Sequence, residues 1–272
     1  MRKIDLYQES ATTSVGEITD NLKKSIGPKT RFVALTYVDS STGVKLPIKE
    51  IAAVIQELNH SRDQARRIYL CVDAVHAFGI ENFRIQDLGC DFLAAGTHKW
   101  LFGPRGTGIL YGKEDAWDVI DPVIPPYSVA YNRWIEGKPI EPISFFQKMT
   151  PGGFHSFEHR WALKEAFHYH LEIGKNNIQT RTHYLNTLLK EGMSHIPHII
   201  FHTPYSSELS AGIVCFEVKG MSAKTVIQKL KEAKIIGSMA PSKQIFARLT
   251  PSILNTEEDI VTCISVLENM RN

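Results

Sequence analysis

No excess of charge of either sign runs through this chain: Lys+Arg 31 against Asp+Glu 29 in 272 residues leaves a net charge of +2. So close a balance argues against nucleic acid or an anionic membrane surface as partner. Apolar runs long enough to span a bilayer are missing, and the opening MRKIDLYQES lacks the apolar core of a secretion signal. Cysteines are few. Cys71, Cys90, Cys215 and Cys263 are scattered without a CxxC pair, three of them inside apolar runs. That usage predicts reduced, buried thiols in a cytoplasmic protein. What remains is ordinary globular composition, 43% hydrophobic, in a chain long enough for a sizeable core and two domains.

The chain is organised around the stretch from Cys71 to Gly112. The apolar run Ile68–Val72 ends on Asp73, and a second run, Phe92–Ala95, leads into Thr97-His98-Lys99. Acid and lysine are 99 − 73 = 26 residues apart. Ends of neighbouring parallel strands converge on one crevice. There a lysine can form a Schiff base and an acid can hold a protonated pyridine nitrogen, which points to pyridoxal phosphate (PLP). The same residue types would also suit an ordinary acid-ended strand and a solvated lysine.

The wording of the stretch decides between these. Asp73-Ala74-Val75-His76, followed by Gly96-Thr97-His98-Lys99-Trp100-Leu101-Phe102-Gly103-Pro104-Arg105-Gly106-Thr107-Gly108, resembles the class V aminotransferase branch of fold-type I PLP enzymes. Within that branch it is most similar to the isopenicillin N epimerase-like group. The resemblance implies an α/β fold: a partial PLP-binding large domain on a mostly parallel sheet, then a small α+β C-terminal domain. It implies Lys99 as the catalytic lysine, Asp73 at the pyridine nitrogen and His76 at the 3′-oxygen of the ring. Thr97 and His98 fall near the phosphate, and all five residues count as cofactor-binding. A histidine hydrogen-bonded inside the core is the alternative for His76. Full-length members carry a large N-terminal portion before the segment matched here, including a phosphate-binding turn. The expectation is therefore a truncated or split enzyme whose isolated chain binds PLP weakly.

Elsewhere the pattern is periodic. A helix is expected over 16–26. RFVALTYV, residues 31–38, reads as a strand covered on both faces. Pro47 then leads a helix with Ile48, Ile51, Ala52, Ile55 and Leu58 on one stripe. Ser40, in the turn between them, matches a family position that meets cofactor or substrate, and equally suits a helix-capping turn. Residues 121–151 are punctuated by Pro122, Pro125, Pro126, Pro139, Pro142 and Pro151, and predict an irregular stretch over the crevice mouth. Residues 150–156 resemble a loop that reaches the partner subunit's phosphate. His155-Ser156-Phe157-Glu158-His159 literally matches H-x-x-E-H, a zinc pattern that needs one helix through all five residues. The glycines just before it disfavour that.

A long helix from Trp161 to about Lys190 follows, then strands at 199–202, 212–217 and 246–249. Further helices are expected over 222–232 and after Thr256, whose capping-box partner is Asp259. Arg248 opens Arg248-Leu249-Thr250-Pro251-Ser252…Asn255-Thr256-Glu257-Glu258, similar to the class V ending in which an arginine binds the substrate carboxylate. A planar bidentate donor suits that task. The domains are drawn at 1–120 (large, partial), 121–160 (inter-domain) and 161–272 (small).

The implied activity is PLP-dependent chemistry at the α-carbon of an amino acid, epimerase-like. Class V aminotransferase or lyase chemistry, or a non-catalytic remnant of the fold, are the alternatives. A homodimer is implied, with no metal, nucleic acid or membrane partner.

Overall fold

The computed structural model describes residues 1–121, 127, 129–139, 149, 153, 155–241 and 245–270. Its first sheet is built from β1 (Phe32–Thr36), β2 (Tyr69–Asp73), β3 (Phe92–Gly96) and β4 (Gly108–Gly112), in that order. β1, β2 and β3 are parallel, and β4 pairs antiparallel with β3. Thr36, Asp73 and Ala94 stand in register, so the strand ends that precede the functional loops are aligned.

Two helices cover one face. α1 (Val15–Ser25) is started by Ser14, whose hydroxyl accepts from the Glu17 N–H. α2 (Ile48–Asn59) follows Pro47. Ile18, Leu22, Ile48, Ile51 and Ile55 pack on Val33, Leu70, Val72, Leu93 and Ala95. Each such fully buried side chain contributes about 1.5–3 kcal/mol relative to exposure. The other face differs from expectation. Cover on both sides of 31–38 is not found: Phe32 is 47% exposed, Ala34 is exposed, and Val33 is the buried residue of β1. Among the described residues α1 and α2 lie on a single face, and Ala34, Ala94 and Leu110 on the opposite one stay open.

The stretch read as irregular contains a helix, α3 (Val129–Ile135), with Tyr127 stacked on Tyr131 at 4.5 Å. Pro122, Pro125, Pro126, Pro142 and Pro151 lie outside the described residues, as do Thr150, Gly152 and Phe154 of the loop compared with a partner-reaching one. The single long helix is two: α4 (Phe157–Ile173) and α5 (Lys175–Ser194). They break at Gly174, whose φ of 89° suits glycine alone among ordinary residues. Its periodic flanks hid the break.

The C-terminal sheet has β5 (Ile199–Phe201), β6 (Val214–Val218), β7 (Ser238–Met239) and β8 (Ala247–Leu249), ordered β5-β6-β8-β7 and antiparallel throughout. α6 (Ala223–Glu232) and α7 (Glu257–Glu268) join α5 against it. The capping box at Thr256 and Asp259 forms as its spacing predicts. No helix among the described residues is long and apolar enough to cross a membrane.

Candidate active site

Asp73 ends β2 and is exposed. One carboxylate oxygen accepts from the Val75 N–H at 3.0 Å, which orients the group. Lys99 lies three residues beyond β3, in a turn closed by the Phe102 N–H donating to the Lys99 carbonyl. Phe102 sits at φ 56°, an unusual conformation for a bulky side chain. It rests against the His170 ring at 5.6 Å.

His76 lies against Lys99 and is buried, 6% exposed. Its Nε2 is 2.9 Å from Lys99 Nζ, and its Nδ1 accepts from the Trp100 indole N–H at 3.3 Å. Burial first, then the positive charges of Lys99 and Arg248, push its pKa down to about 3, so the imidazole is neutral at ordinary pH. The Lys99 ammonium is partly desolvated and is repelled by Arg248, while Asp73 attracts it. The balance holds its pKa below the usual lysine value.

Arg248 arrives from β8. Its Nε donates to Ser238 Oγ and its Nη1 to the Ser40 carbonyl, both at 3.0 Å. The second bond spans 208 residues and brings the C-terminal sheet to the first sheet's crevice. Ser40 takes part through its backbone. His98 is exposed, its ring lying over Gly96, where an added Cβ would meet it at 3.0 Å. Thr97 lies inside its own loop. It is 0% exposed, its hydroxyl is tied to Thr107, and its backbone braces Gly103 and Thr107. A hydroxyl so buried and already partnered holds the 97–107 loop together.

The sequence missed Trp100 and Ser238. The indole lies inside the family-like wording, but its bond to His76 depends on a turn that spacing does not reveal. Ser238 sits in a two-residue strand too short to read. The H-x-x-E-H stretch begins ahead of α4, with His155 outside the helix that the zinc pattern requires. Among the described residues no three His, Cys, Asp or Glu side chains are grouped to hold a metal.

The donor set fits pyridoxal phosphate. An exposed strand-end carboxylate can hold a pyridine N–H. A lysine of lowered pKa stands beyond the next strand end, with a neutral imidazole against it. An exposed histidine stands beside the lysine.

Comparison with known proteins agrees. The pattern of the family described as aminotransferase class-V matches residues 8–239. Isopenicillin N epimerase of Streptomyces clavuligerus is 28% identical over 255 residues, covering 90% of this chain and 61% of that protein. A probable cysteine desulfurase of Halalkalibacterium halodurans is 27% identical over 207 residues, covering 74% of this chain and 46% of that one. The apo structure of cysteine desulfurase from Thermococcus onnurineus superposes with a TM-score of 0.78 at 20% identity, over 97% of this chain and 65% of that one. The chain thus spans roughly half to two thirds of the length of the relatives it matches.

Proposed function

Because the chain belongs to the class V aminotransferase family, we propose that it is a pyridoxal phosphate-dependent enzyme, or part of one, acting at the α-carbon of an amino acid as isopenicillin N epimerase does. The observation that carries this reading is the convergence of Asp73, His76, Lys99 and Arg248 on one crevice, with Lys99 touching His76 and Arg248 reaching Ser40. Pyridoxal phosphate, when bound, supplies an electron sink for negative charge at the substrate α-carbon.

The chain's own residues then have defined tasks. Asp73 would hold the protonated pyridine nitrogen, His76 would meet the ring oxygen, and His98 would face the phosphate. Lys99 would hold the cofactor and serve as the base that takes the α-proton onto Nζ. Arg248 fixes the substrate carboxylate. Return of the proton to the opposite face inverts the centre. Aminotransferase or lyase chemistry uses the same residues and is the alternative. The reading divides the chain at 1–120, 121–160 and 161–272 and takes the working unit to be a homodimer. The test is incubation with single-enantiomer amino acids in heavy water at saturating PLP, following α-deuteration and optical rotation. Exchange with inversion supports epimerisation, exchange without inversion moves the protein to the alternative, and no exchange with any amino acid defeats the proposal.

Arg248→Lys keeps the charge and loses the planar fork. A charge-assisted hydrogen bond contributes about 1.5–3 kcal/mol, so KM for the amino acid should rise roughly 10- to 150-fold with a smaller change in kcat. An unchanged KM would remove Arg248 from the carboxylate site.

Release of sulfur from cysteine through a protein persulfide requires an accessible thiolate. Cys90, Cys215 and Cys263 are buried and Cys71 is half-buried. Burial pushes the Cys215 and Cys263 thiols up to about 12 and those of Cys71 and Cys90 up to about 11. The loop before Arg248, residues 236–243, contains no cysteine, though Ser242 and Lys243 lie outside the described residues. We therefore expect no persulfide-dependent sulfide release from cysteine, while α-deuteration of cysteine proceeds. Sulfide release that disappears on replacing any one of the four cysteines would overturn this and favour the desulfurase relatives.

A further inference from the structure

We propose that Trp100 is a positioning residue which fixes the tautomer of His76 and so keeps the neighbouring Lys99 as a neutral, nucleophilic amine. The argument is one of donors and acceptors. An indole N–H can only donate, so the bond from Trp100 Nε1 at 3.3 Å requires a lone pair on His76 Nδ1. The proton of a neutral imidazole must then sit on Nε2. That N–H points at Lys99 Nζ, 2.9 Å away. An ammonium has three donors and no acceptor, so the contact is favourable only when Lys99 is an uncharged amine. The opposite tautomer would suit an ammonium but sets Nδ1–H against the indole N–H, and an imidazolium sets two donors against two donors. Trp100 disfavours both.

The indole is itself held in place. His170 Nε2 donates to the Trp100 carbonyl at 2.8 Å. The six-membered ring lies so close to Gly212, in the segment leading into β6, that a Cβ there would come within 2.7 Å of it. Gly79 approaches the Trp100 backbone as closely, an added Cβ meeting its carbonyl carbon at 2.8 Å. Trp100 is thereby wedged between the first sheet's loops and the C-terminal sheet, and its N–H has one direction. Among the described residues, the charged groups facing Lys99 are Asp73 from the end of β2 and Arg248 from β8, and His98 adjoins it. Asp73 favours the ammonium and Arg248 the amine. These opposed fields leave the hydrogen-bond polarity imposed through His76 able to tip the balance.

The proposal rests on Lys99 being the cofactor lysine, but its test does not need the cofactor. The cofactor-free chain is labelled with 15N-histidine, and His76→Gln identifies the His76 signals among those of the eleven histidines. The wild type should show a protonated Nε2 and an unprotonated Nδ1. In parallel, acetylation of Lys99 by limiting acetic anhydride is followed against pH by peptide mass spectrometry. Trp100→Phe keeps a ring against Gly212 and removes the N–H. It should lose the fixed tautomer, and Lys99 should acetylate about three- to tenfold more slowly at neutral pH, the range one hydrogen bond commands, with the profile's midpoint moved to higher pH. A wild-type His76 protonated on Nδ1, or a folded Trp100→Phe with the wild-type tautomer and profile, overturns the proposal. Should Trp100→Phe not fold, the wild-type spectrum alone decides it in the same terms. Failure here would leave open whether Lys99 is the cofactor lysine, which borohydride trapping of a pyridoxyl adduct on Lys99 decides separately.

Discussion

Lys99→Ala should yield no borohydride-stable pyridoxyl adduct at saturating PLP, where the wild type yields one adduct mapping to the peptide that contains Lys99. The site singles out this lysine on geometry as well as pKa. Lys190 is the instructive competitor: burial pushes its pKa down to about 8, a value usually associated with reactive amines. Yet all three of its donors are committed, to the Pro204 and Tyr205 carbonyls and to Ser210 Oγ, and its side chain is 1% exposed. It is a structural lysine pinning the 204–210 turn to α5. Lys45 is likewise occupied by Glu81. Lys99 is exposed just beyond a strand end, within the field of an exposed carboxylate. Loss of a positioned general base removes about 10²–10⁴-fold in rate, so α-deuteration by Lys99→Ala should fall by that much even when free PLP is present. An adduct that survives unchanged on the variant would refute the assignment.

How much of this was legible beforehand follows from what periodicity and wording can encode. β2, β3 and the Asp73–Lys99 pairing were readable because buried strands leave continuous apolar runs and a chemical residue at a strand end interrupts them. The capping box at Thr256 was readable because a cap is a local device. Other features were not. The open face of β1 escaped, since an apolar run such as RFVALTYV looks the same whether one or both faces are covered. The break at Gly174 escaped because α4 and α5 keep helical spacing on either side of it. The resemblance sets Thr97 near a phosphate, whereas its contact with Thr107 depends on how the 97–107 loop closes. The tasks of Trp100 and Ser238 lie in contacts between segments far apart in the chain.

Glu81→Ala should destabilise the fold by about 3–5 kcal/mol at neutral pH, the usual cost of leaving a buried charge such as the Lys45 ammonium unpaired. Glu81 is 8% exposed. It accepts from Lys45 Nζ at 3.0 Å and from His183 Nε2 at 2.6 Å, and these partners' side chains are only 13% and 15% exposed. His183 does not act alone. Gln179 Oε1 accepts from the Asn82 N–H at 2.7 Å, and Lys175 Nζ donates to the Phe83 carbonyl. Residues 175, 179 and 183 are four apart on α5 and so present one face of that helix, which clamps the 81–83 segment a few residues beyond His76. Burial alone would raise the Glu81 pKa, but the His183 hydrogen bond and the Lys45 charge outweigh it and hold the carboxyl below its ordinary 4.5. A folded-state pKa depressed in this way contributes stability that is complete above 4.5 and is lost as pH falls through the folded value. The isosteric Glu81→Gln, which keeps the shape and sets an amide donor against a cationic partner, should cost about 1–3 kcal/mol at neutral pH. The gap between it and the wild type should close on acidification. Denaturant midpoints of both proteins at neutral pH and below the carboxylate range measure this directly. A gap that stays constant with pH would mean that Glu81 is not ionised in the fold, and that the joint between α5 and the His76 segment is held by the flanking bonds from Gln179 and Lys175 instead.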